Sequence, residues 1–566
     1  MHRYFNKADI HTGLRMIIFS TAFVSGQQFV RTSVCVVGAG AAGITIACEL
    51  DGTGIDVLLL EAGGFGQDPQ VQDDYAGEAT LPHPDTATFR RTGFGGTTKI
   101  WGGRCVPLDP IDFAPRQHIP GSGWPIAYDE VAKYYPKAMM YCDAGLADFS
   151  VDGSLRAASP TIDGLESDAT MVVDRVERYS LPTDFGKRYR ARLARSANVT
   201  VLLFARCIRL VRDACNGRIA QLILVDRAGR RVCVNADTFV LAGGGLEVTR
   251  LLLDSDLSGP GLGNRHDQLG RYYACHVESI GARLVPGPRK PPFAFEKTLD
   301  GVYARRKLQF SEAAQHRHRL LNSAFRLHFP PYADARHGSA VMSTIYIAKA
   351  ALAAEHARIL HQGVMDGVVS PRRAHLRNIT SGLPQVAGFG MQWLFLRKFA
   401  RRKLPYTLVP NADGSYPLEF NCEQTPLASS RISLLRARDR HGMRRLHVDW
   451  RFGREDVEAA RRGFIVLRDA LQRSSSCRLE FDESRLDALL DNAKPLGGHH
   501  MGTARMAASP REGVVDGNCA LFELPNLYIA SAAVFPTVGH ANPTLTIVAL
   551  AIRLAAHLRA SAGRSP

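Results

Sequence analysis

A run of β-branched and small apolar residues, Val34-Cys35-Val36-Val37, leads straight into Gly38-Ala39-Gly40-Ala41-Ala42-Gly43. No other feature of the chain restricts its fold as much. Gly38 permits a tight turn, Gly40 lets the backbone approach a pyrophosphate, and Gly43 lets the following helix pack closely on the strand. The helix expected over Ile44–Leu50 offers unpaired N–H groups and a partial positive charge to phosphates. A second buried-strand run, Asp56–Gly64, carries Glu61, 18 residues beyond Gly43. That carboxylate suits ribose hydroxyls and disfavours a 2′-phosphate, which argues against NADP. The unit reads as a βαβ dinucleotide site for which FAD and NAD are equal candidates.

The chain has 566 residues, 45% hydrophobic and 22% charged, about three to four times a typical domain. Wholesale disorder and fibrous repeats are thereby excluded. The net charge of +16 permits acidic partners or anionic lipid. No zinc finger, RNA-binding signature or aromatic-interleaved basic stripe accompanies it, so nucleic acid is not expected. The densest basic run, Arg397–Lys403, follows Trp393-Leu394-Phe395-Leu396. It reads as a solvated helix face in an insertion, with a membrane-surface segment as the alternative. Eleven cysteines are scattered without a CxxC pair, which supports neither a disulfide framework nor a zinc ribbon and points to a reducing, cytoplasmic setting. Secretion is the alternative, because the apolar stretch Met16–Val24 follows Arg3, Lys7 and Arg15. No uninterrupted apolar run reaches the ~18–20 residues of a membrane span; the nearest, Thr544–Leu558, is broken by Arg553.

Strand patterns recur at Val199–Phe204, Cys207–Val211, Ala220–Asp226 and Arg231–Val234, before Thr238–Leu241 and the turn Gly243–Gly245 with an apolar helix through Leu253. Residues 285–490 are mixed. Helices are expected at Ala348–Gln362 and Arg454–Arg473, and strands at Ala340–Ile347, Arg431–Leu435 and Arg445–Trp450. The chain ends on a strand at Asn526–Ala530 and a helix at Thr544–Arg559. The expected class is α/β: a discontinuous Rossmann-like cofactor domain plus an α+β substrate domain with an antiparallel sheet. Its segments are 31–110, 199–284 and 491–566 for the cofactor domain, 111–198 for a cap or substrate segment, and 285–490 for the substrate domain.

Three further motifs separate the cofactor candidates. They are Gly95-Gly96-Thr97-Thr98-Lys99-Ile100-Trp101-Gly102-Gly103, followed by Leu108–Phe113; His499–Met506, followed by Gly513–Asp516; and Val534–Thr546, which holds His540-Ala541-Asn542-Pro543-Thr544. In order and spacing the chain resembles the glucose–methanol–choline (GMC) oxidoreductases over about residues 31–566, most of all the branch with pyranose oxidase and sugar dehydrogenases. The resemblance implies FAD and oxidation of an alcohol to a carbonyl, with dioxygen or a quinone or protein as electron acceptor. It places the active-site histidine at His499 and its partner at Asn542. Cofactor contacts are implied at Gly95, Gly96, Thr97 and Trp101, at Cys207 beside Arg206 on the adenine strand, at Gly243, and at Ser531, Ala532, Pro543 and Thr544, beside Gly38, Gly40, Gly43 and Glu61. Two departures stand out. Ile100 occupies the place of the histidine that bonds covalently to flavin in some relatives, so non-covalent FAD is expected. The strand Ile529–Ala533 lacks the acid of many relatives, leaving backbone amides and Ser531.

Alcohol oxidation removes a hydroxyl proton and a carbon-bound hydride. Neutral His499 suits the proton. Asn542 cannot accept a proton at neutral pH, but its amide N–H can stabilise an oxygen gaining alkoxide character. Asn542-Pro543 also reads as an N-cap and first helical position, aiming a helix dipole at the flavin. His500 reads as a supporting or packing residue and His540 as a loop histidine, while His276 has no assigned role. Gln424 is a candidate substrate contact. No acid or cysteine flanks the histidines at ligand spacing, so no metal is expected. The leading reading is oxidation of a sugar, glycoside or related polyol. A redox-silent flavin-containing lyase and a membrane-docked flavoprotein subunit are the alternatives.

Overall fold

The computed structural model describes residues 17–19, 29–156, 159–213, 215–256, 259–349, 370–484, 486, 494–495 and 498–562. The helix expected over Ala348–Gln362 lies almost wholly outside them; of the stretch Met16–Val24 only Ile17–Phe19 is described, as a strand paired in parallel with Val201–Leu203.

Two nine-stranded sheets organise the molecule. The first has a parallel centre in the order Val199–Leu203, Val57–Glu61, Phe29–Val37, Arg231–Leu241, Leu524–Ile529. These strands read as near-continuous apolar runs because both faces are covered, as parallel sheets require. Helix Ala41–Leu50 follows the first glycine turn and Gly245–Ser255 the second. Helix Thr544–Ala562 packs on Ala41–Leu50 and on Tyr135–Tyr141. This last helix is long and apolar enough to cross a membrane, yet Leu545, Val548, Ile552 and Ala555 are spent on the core. Arg206–Arg212 and Ile219–Val225 form an antiparallel extension that returns into Arg231–Leu241. The two strands expected at Arg231–Val234 and Thr238–Leu241 are one.

The second sheet is antiparallel. Its order runs Arg478–Glu480, Val277–Val285, Tyr416–Cys422, Ser323–Leu327, Tyr303–Phe310, Met171–Tyr179 and Arg104–Cys105. Side chains alternate between its faces. One face gives Phe310, Phe325, Leu418 and Phe420 to a core closed by Phe464, Leu467 and Leu471 of helix Arg454–Ser474. The opposite face is unusual: Glu177, Arg305, Lys307, Arg326, Glu419 and Asn421 are all buried. Buried charge in this quantity persists only where it is paired, and the pairing is dense. Arg326 donates to Glu177 at 2.7 Å and reaches Glu419 at 3.4 Å, and Arg104 lies 3.5 Å from Glu419. Lys307 reaches His540, which belongs to the C-terminal part of the chain, at 3.1 Å. The polar face therefore looks toward the first sheet, and the functional residues gather between the two.

One expected strand is a helix: Ala340–Lys349 is α-helical. The run of β-branched residues there is offset by packing of Met342 and Tyr346 against Tyr332, a period of about four residues that the strand reading overlooked.

Candidate functional site

The glycine-rich turn after Phe29–Val37 is built as its sequence requires. Gly38 has φ +105°, and a Cβ there would lie 2.8 Å from the Ala242 carbonyl group, at the end of the neighbouring strand. A Cβ on Gly43 would sit 1.9 Å from the Gly38 oxygen, so the helix can approach only as glycine. Gly40 differs. A Cβ there would meet nothing within 4 Å, and the helix it opens has neither a side-chain cap nor an acid in its first turn. Open space before an uncapped helix N-terminus is what a pyrophosphate needs.

The second glycine loop closes on this turn. Gly95 N–H donates to the Ala39 carbonyl at 2.8 Å, and Gly96 lies against Gly40. Glu61 ties both loops together, accepting from Ala39 and Gly63 at 3.0 and 2.9 Å and from Gly93 at 2.8 Å. A carboxylate offers about four acceptor positions, so one stays available to a ribose hydroxyl. Gly38, Glu61, Cys207 and Gly243 line a single open cleft of about 540 Å³. Arg206 forms part of its wall, buried, with Nε lacking a protein partner. Behind it stands an ion-pair network that the sequence reading missed. Glu247 takes Arg90 at 2.9 Å and Arg206 at 3.1 Å, while Arg250 holds Asp439 at 2.7 Å. Its members come from four distant segments and no local spacing announces it. The donor set, the open Gly40 and the orphaned Arg206 Nε fit an adenine dinucleotide. Ser531 caps the short turn Ala532–Val534, which abuts the end of Arg231–Leu241 through Ala530 N–H and the Leu241 carbonyl at 2.9 Å. Thr97 is exposed on the second loop, and Trp101 Nε1 donates to the Thr183 carbonyl at 2.9 Å.

The catalytic candidates are placed by a small piece of antiparallel pairing. Ala274 and Met501 exchange N–H···O bonds at 3.0 and 3.1 Å. Counting outward from that pair sets His276 opposite His499. A Cβ on Gly502 would lie 2.3 Å from the Tyr272 oxygen, and its φ is +83°, so this bridge too depends on glycine. The outcome is a chain of ring nitrogens. Asn542 Nδ2 lies 3.1 Å from His499 Nε2, His499 Nδ1 lies 2.8 Å from His276 Nδ1, and His276 Nε2 lies 3.5 Å from the Val538 carbonyl.

Proton positions follow from the carbonyl end. A carbonyl only accepts, so His276 carries its proton on Nε2 and presents a lone pair at Nδ1. His499 must then donate from Nδ1, which leaves its Nε2 as a lone pair receiving the Asn542 amide N–H. Burial, then the neighbouring His276 and Arg104, hold the His499 pKa well below the ordinary imidazole value. Burial likewise brings His276 down to about 3. Both rings are neutral at physiological pH.

His500, pointing the other way, enters a second hydrogen-bonded group. Tyr273 Oη lies 2.7 Å from its Nδ1 and 2.8 Å from His83 Nε2. His83, Cys275 and His500 bring their ligand-type atoms within 4.8 Å of one another. The Tyr273 hydroxyl is hydrogen-bonded to all three, Cys275 included at 3.4 Å. His540 lies on the loop before Asn542, where it is fully buried between Lys307 and Asp109 (3.2 Å), and burial and Lys307 depress its pKa. Gln424 is a correction. Its Oε1 accepts from Cys275 N–H at 3.2 Å and Trp450 Nε1 at 2.9 Å, and its Nε2 donates to the Arg451 carbonyl. The amide joins the start of Val277–Val285 to the neighbouring Trp450–Arg451 segment and is engaged at both ends by scaffold, not turned to a ligand. The helix after Asn542 also opens one residue later than expected. Ile547 N–H bonds the Pro543 carbonyl, which makes Pro543 the residue before the Thr544–Ala562 helix.

The alternation that places His276 beside His499 also puts Glu278 on the same face, and Glu278 pairs in register with Asn421. Both amide atoms of Asn421 are buried without a protein partner. Burial and the Glu419 carboxylate push Glu278 up to about 8. Sequence reasoning found none of these three groups, since a lone Glu or Asn in an apolar strand has no motif.

Buried neutral imidazoles make the fold acid-sensitive. The unfolded chain binds these protons near pH 6.5, whereas His276 resists to about 3 and His328 and His337 to about 4. Their stabilising effect is complete above pH 6.5 and is lost as pH falls toward the native values. The midpoint of urea unfolding should therefore drop steadily from pH 7 to pH 4, and the His276→Asn variant should show a shallower drop. A midpoint that stays flat over this range would contradict the placement of these rings.

Comparison with known proteins accords with this geometry. A family model described as GMC oxidoreductase matches residues 426–551, the segment that holds His499 and Asn542. The chain is 23% identical to 2-methyl-1,2-propanediol dehydrogenase of Mycolicibacterium austroafricanum, covering 92% of this chain and 94% of that protein. It is 23% identical to paromamine 6'-oxidase of Streptomyces fradiae, covering 92% and 90%. Among solved structures, a fungal aryl-alcohol oxidase aligns with a TM-score of 0.53 at 14% identity, covering 94% and 99%, and a formate oxidase with 0.52 at 16%, covering 95% and 99%; these show the fold. The chain thus resembles the GMC oxidoreductases, with a match to their family model over residues 426–551 and full-length similarity to a propanediol dehydrogenase and a paromamine oxidase.

Proposed function

We propose that this protein oxidises one hydroxyl of a sugar, glycoside or related polyol to a carbonyl, with FAD held non-covalently and His499 as the base. The observation that carries the base assignment is the run of contacts from Asn542 Nδ2 through His499 and His276 to the Val538 carbonyl, which is satisfied throughout when His499 Nε2 keeps its lone pair. FAD, when bound in the cleft of Gly38, Glu61, Cys207 and Gly243, supplies the hydride acceptor. A substrate hydroxyl that enters between Asn542 and His499 meets a proton acceptor at Nε2 and an amide donor at Nδ2. The donor stabilises the oxygen as charge grows on it. Because the His499 pKa is depressed, this base cannot strip an ordinary hydroxyl ahead of carbon–hydrogen cleavage. Proton loss accompanies formation of the carbonyl.

The polar sheet face supports the substrate class. A buried amide with both ends unpartnered, as at Asn421, is normally satisfied by something, and several hydroxyls on one small molecule would do so. The names of the two relatives give 2-methyl-1,2-propanediol and paromamine as what those proteins act on, which supports a small hydroxylated substrate. The electron acceptor is dioxygen or a quinone or protein carrier. All eleven cysteines are free, which supports a reducing, cytoplasmic setting.

A stopped-flow screen of polyols and simple alcohols against the oxidised holoenzyme tests the reaction. Polyols should bleach the flavin anaerobically. His499→Ala should slow that reduction about 10²- to 10⁴-fold while keeping the yellow colour. Asn421→Leu should lower kcat/KM for the polyol about 3- to 10-fold and leave a simple alcohol unaffected. Reduction at the wild-type rate in His499→Ala would remove it from the base role.

Ile100, at the position where covalent relatives carry histidine, is partly exposed and has no nucleophile to offer. Acid precipitation of the holoenzyme should release all its flavin into the supernatant; flavin retained in the washed pellet would contradict non-covalent binding.

A further inference from the structure

The molecule's surface has one feature that alcohol oxidation does not use. Helices Arg372–Ser381 and Leu383–Trp393, with the turn Leu394–Lys398, form a hairpin attached along one side. His375 is its one buried residue in the first helix, stacked on Tyr346 at 4.3 Å and bonded to Ser343 at 3.1 Å. The second helix is apolar and buries none of its residues. Seven of the twelve exposed large hydrophobic side chains among the described residues lie between Leu376 and Phe399, from 36% exposed at Leu394 to 72% at Phe399. A helix normally forms in a folded protein because an apolar stripe is buried; this one lacks its covering partner within the described residues. A concentration of exposed apolar side chains on this scale marks an interaction surface.

Charge identifies the partner. From residue 367 to residue 412 there is no Asp or Glu, while Arg372, Arg373, Arg377, Arg397, Lys398, Arg401, Arg402 and Lys403 supply eight positive charges. Most of these are exposed, whereas Arg402 pins the hairpin's end by donating to the Asp143 and Tyr179 carbonyls at 2.9 and 3.2 Å. A symmetric contact with a second copy would set eight positive charges against eight, so the patch disfavours self-association. Aromatic and aliphatic side chains beside clustered Lys and Arg match a bilayer interface, with rings at headgroup depth and cations on lipid phosphates. This favours the membrane-surface alternative for Arg397–Lys403 over a merely solvated helix face.

We propose that the 372–403 hairpin docks the protein on an anionic lipid surface, its apolar side chains inserted to the acyl boundary and its basic side chains on the headgroups. The binding is independent of the oxidation chemistry and does not need turnover to be seen. The test is co-sedimentation of the full-length holoenzyme with vesicles of phosphatidylcholine alone and of phosphatidylcholine with phosphatidylglycerol. Binding should require the anionic lipid, weaken with added salt, and blue-shift the Trp393 emission relative to a Trp393→Leu control. Two variant sets should each lower the partition coefficient about tenfold or more: Phe395→Ser with Phe399→Ser, and Lys398→Glu with Arg401→Glu and Lys403→Glu. Flavin content should be unchanged in both. Absence of vesicle binding, or binding that both sets leave intact, would overturn the proposal. So would a concentration-dependent dimer that the Phe395→Ser, Phe399→Ser variant disperses, which would assign the face to a second copy.

Discussion

Two hydrogen bonds between Ala274 and Met501 hold the reaction centre together. They join a segment that starts the second sheet to a loop preceding the last strand of the first. Without that register His276 and His499, 223 residues apart in sequence, would have no reason to meet. The same pairing carries His500 to Tyr273 and His83, so two adjacent histidines leave the loop toward different hydrogen-bonded groups. A backbone pairing of this kind is rigid and inexpensive in side chains, which leaves the ring nitrogens for chemistry.

The second sheet shows how one element serves packing and recognition together. Its outer face is built of phenylalanine and leucine against Phe464, Leu467 and Leu471. Its inner face carries carboxylates and guanidinium groups that would be prohibitive to bury singly. They persist as a network: Glu177, although burial alone would raise it, is held at about 2 by Arg326 and Arg104. Breaking one partner of such a network strands another buried charge. The inner face is therefore stiff, a property that suits the substrate-orienting role proposed for it.

Much of this was legible from local patterns. The glycine turns and Glu61 sit in a motif whose spacing is itself the mechanism, whereas His499 and Asn542 were singled out by the family resemblance. Gly38 and Gly43 are needed where backbones touch, and the sequence states as much. What stayed hidden was long-range. His276, Glu278 and Asn421 gain meaning only from cross-strand register, and Arg206 with Glu247 and Asp439 only from tertiary pairing. Gln424 carried a plausible functional side chain that the fold uses to bridge strands. Ala340–Lys349 was misread because a short apolar run is ambiguous between strand and helix. The basic run at 397–403 was visible, but the exposure of the apolar residues beside it was not.

The central claim is a tautomer: His499 neutral, with its proton on Nδ1 and its lone pair on Nε2. Nitrogen-15 NMR of the holoenzyme labelled in histidine, assigned by comparison with His499→Ala, reads it directly. The expected spectrum shows a protonated Nδ1 and an unprotonated Nε2 that persist well below pH 6.5. A proton on Nε2, or an imidazolium at neutral pH, would contradict the account.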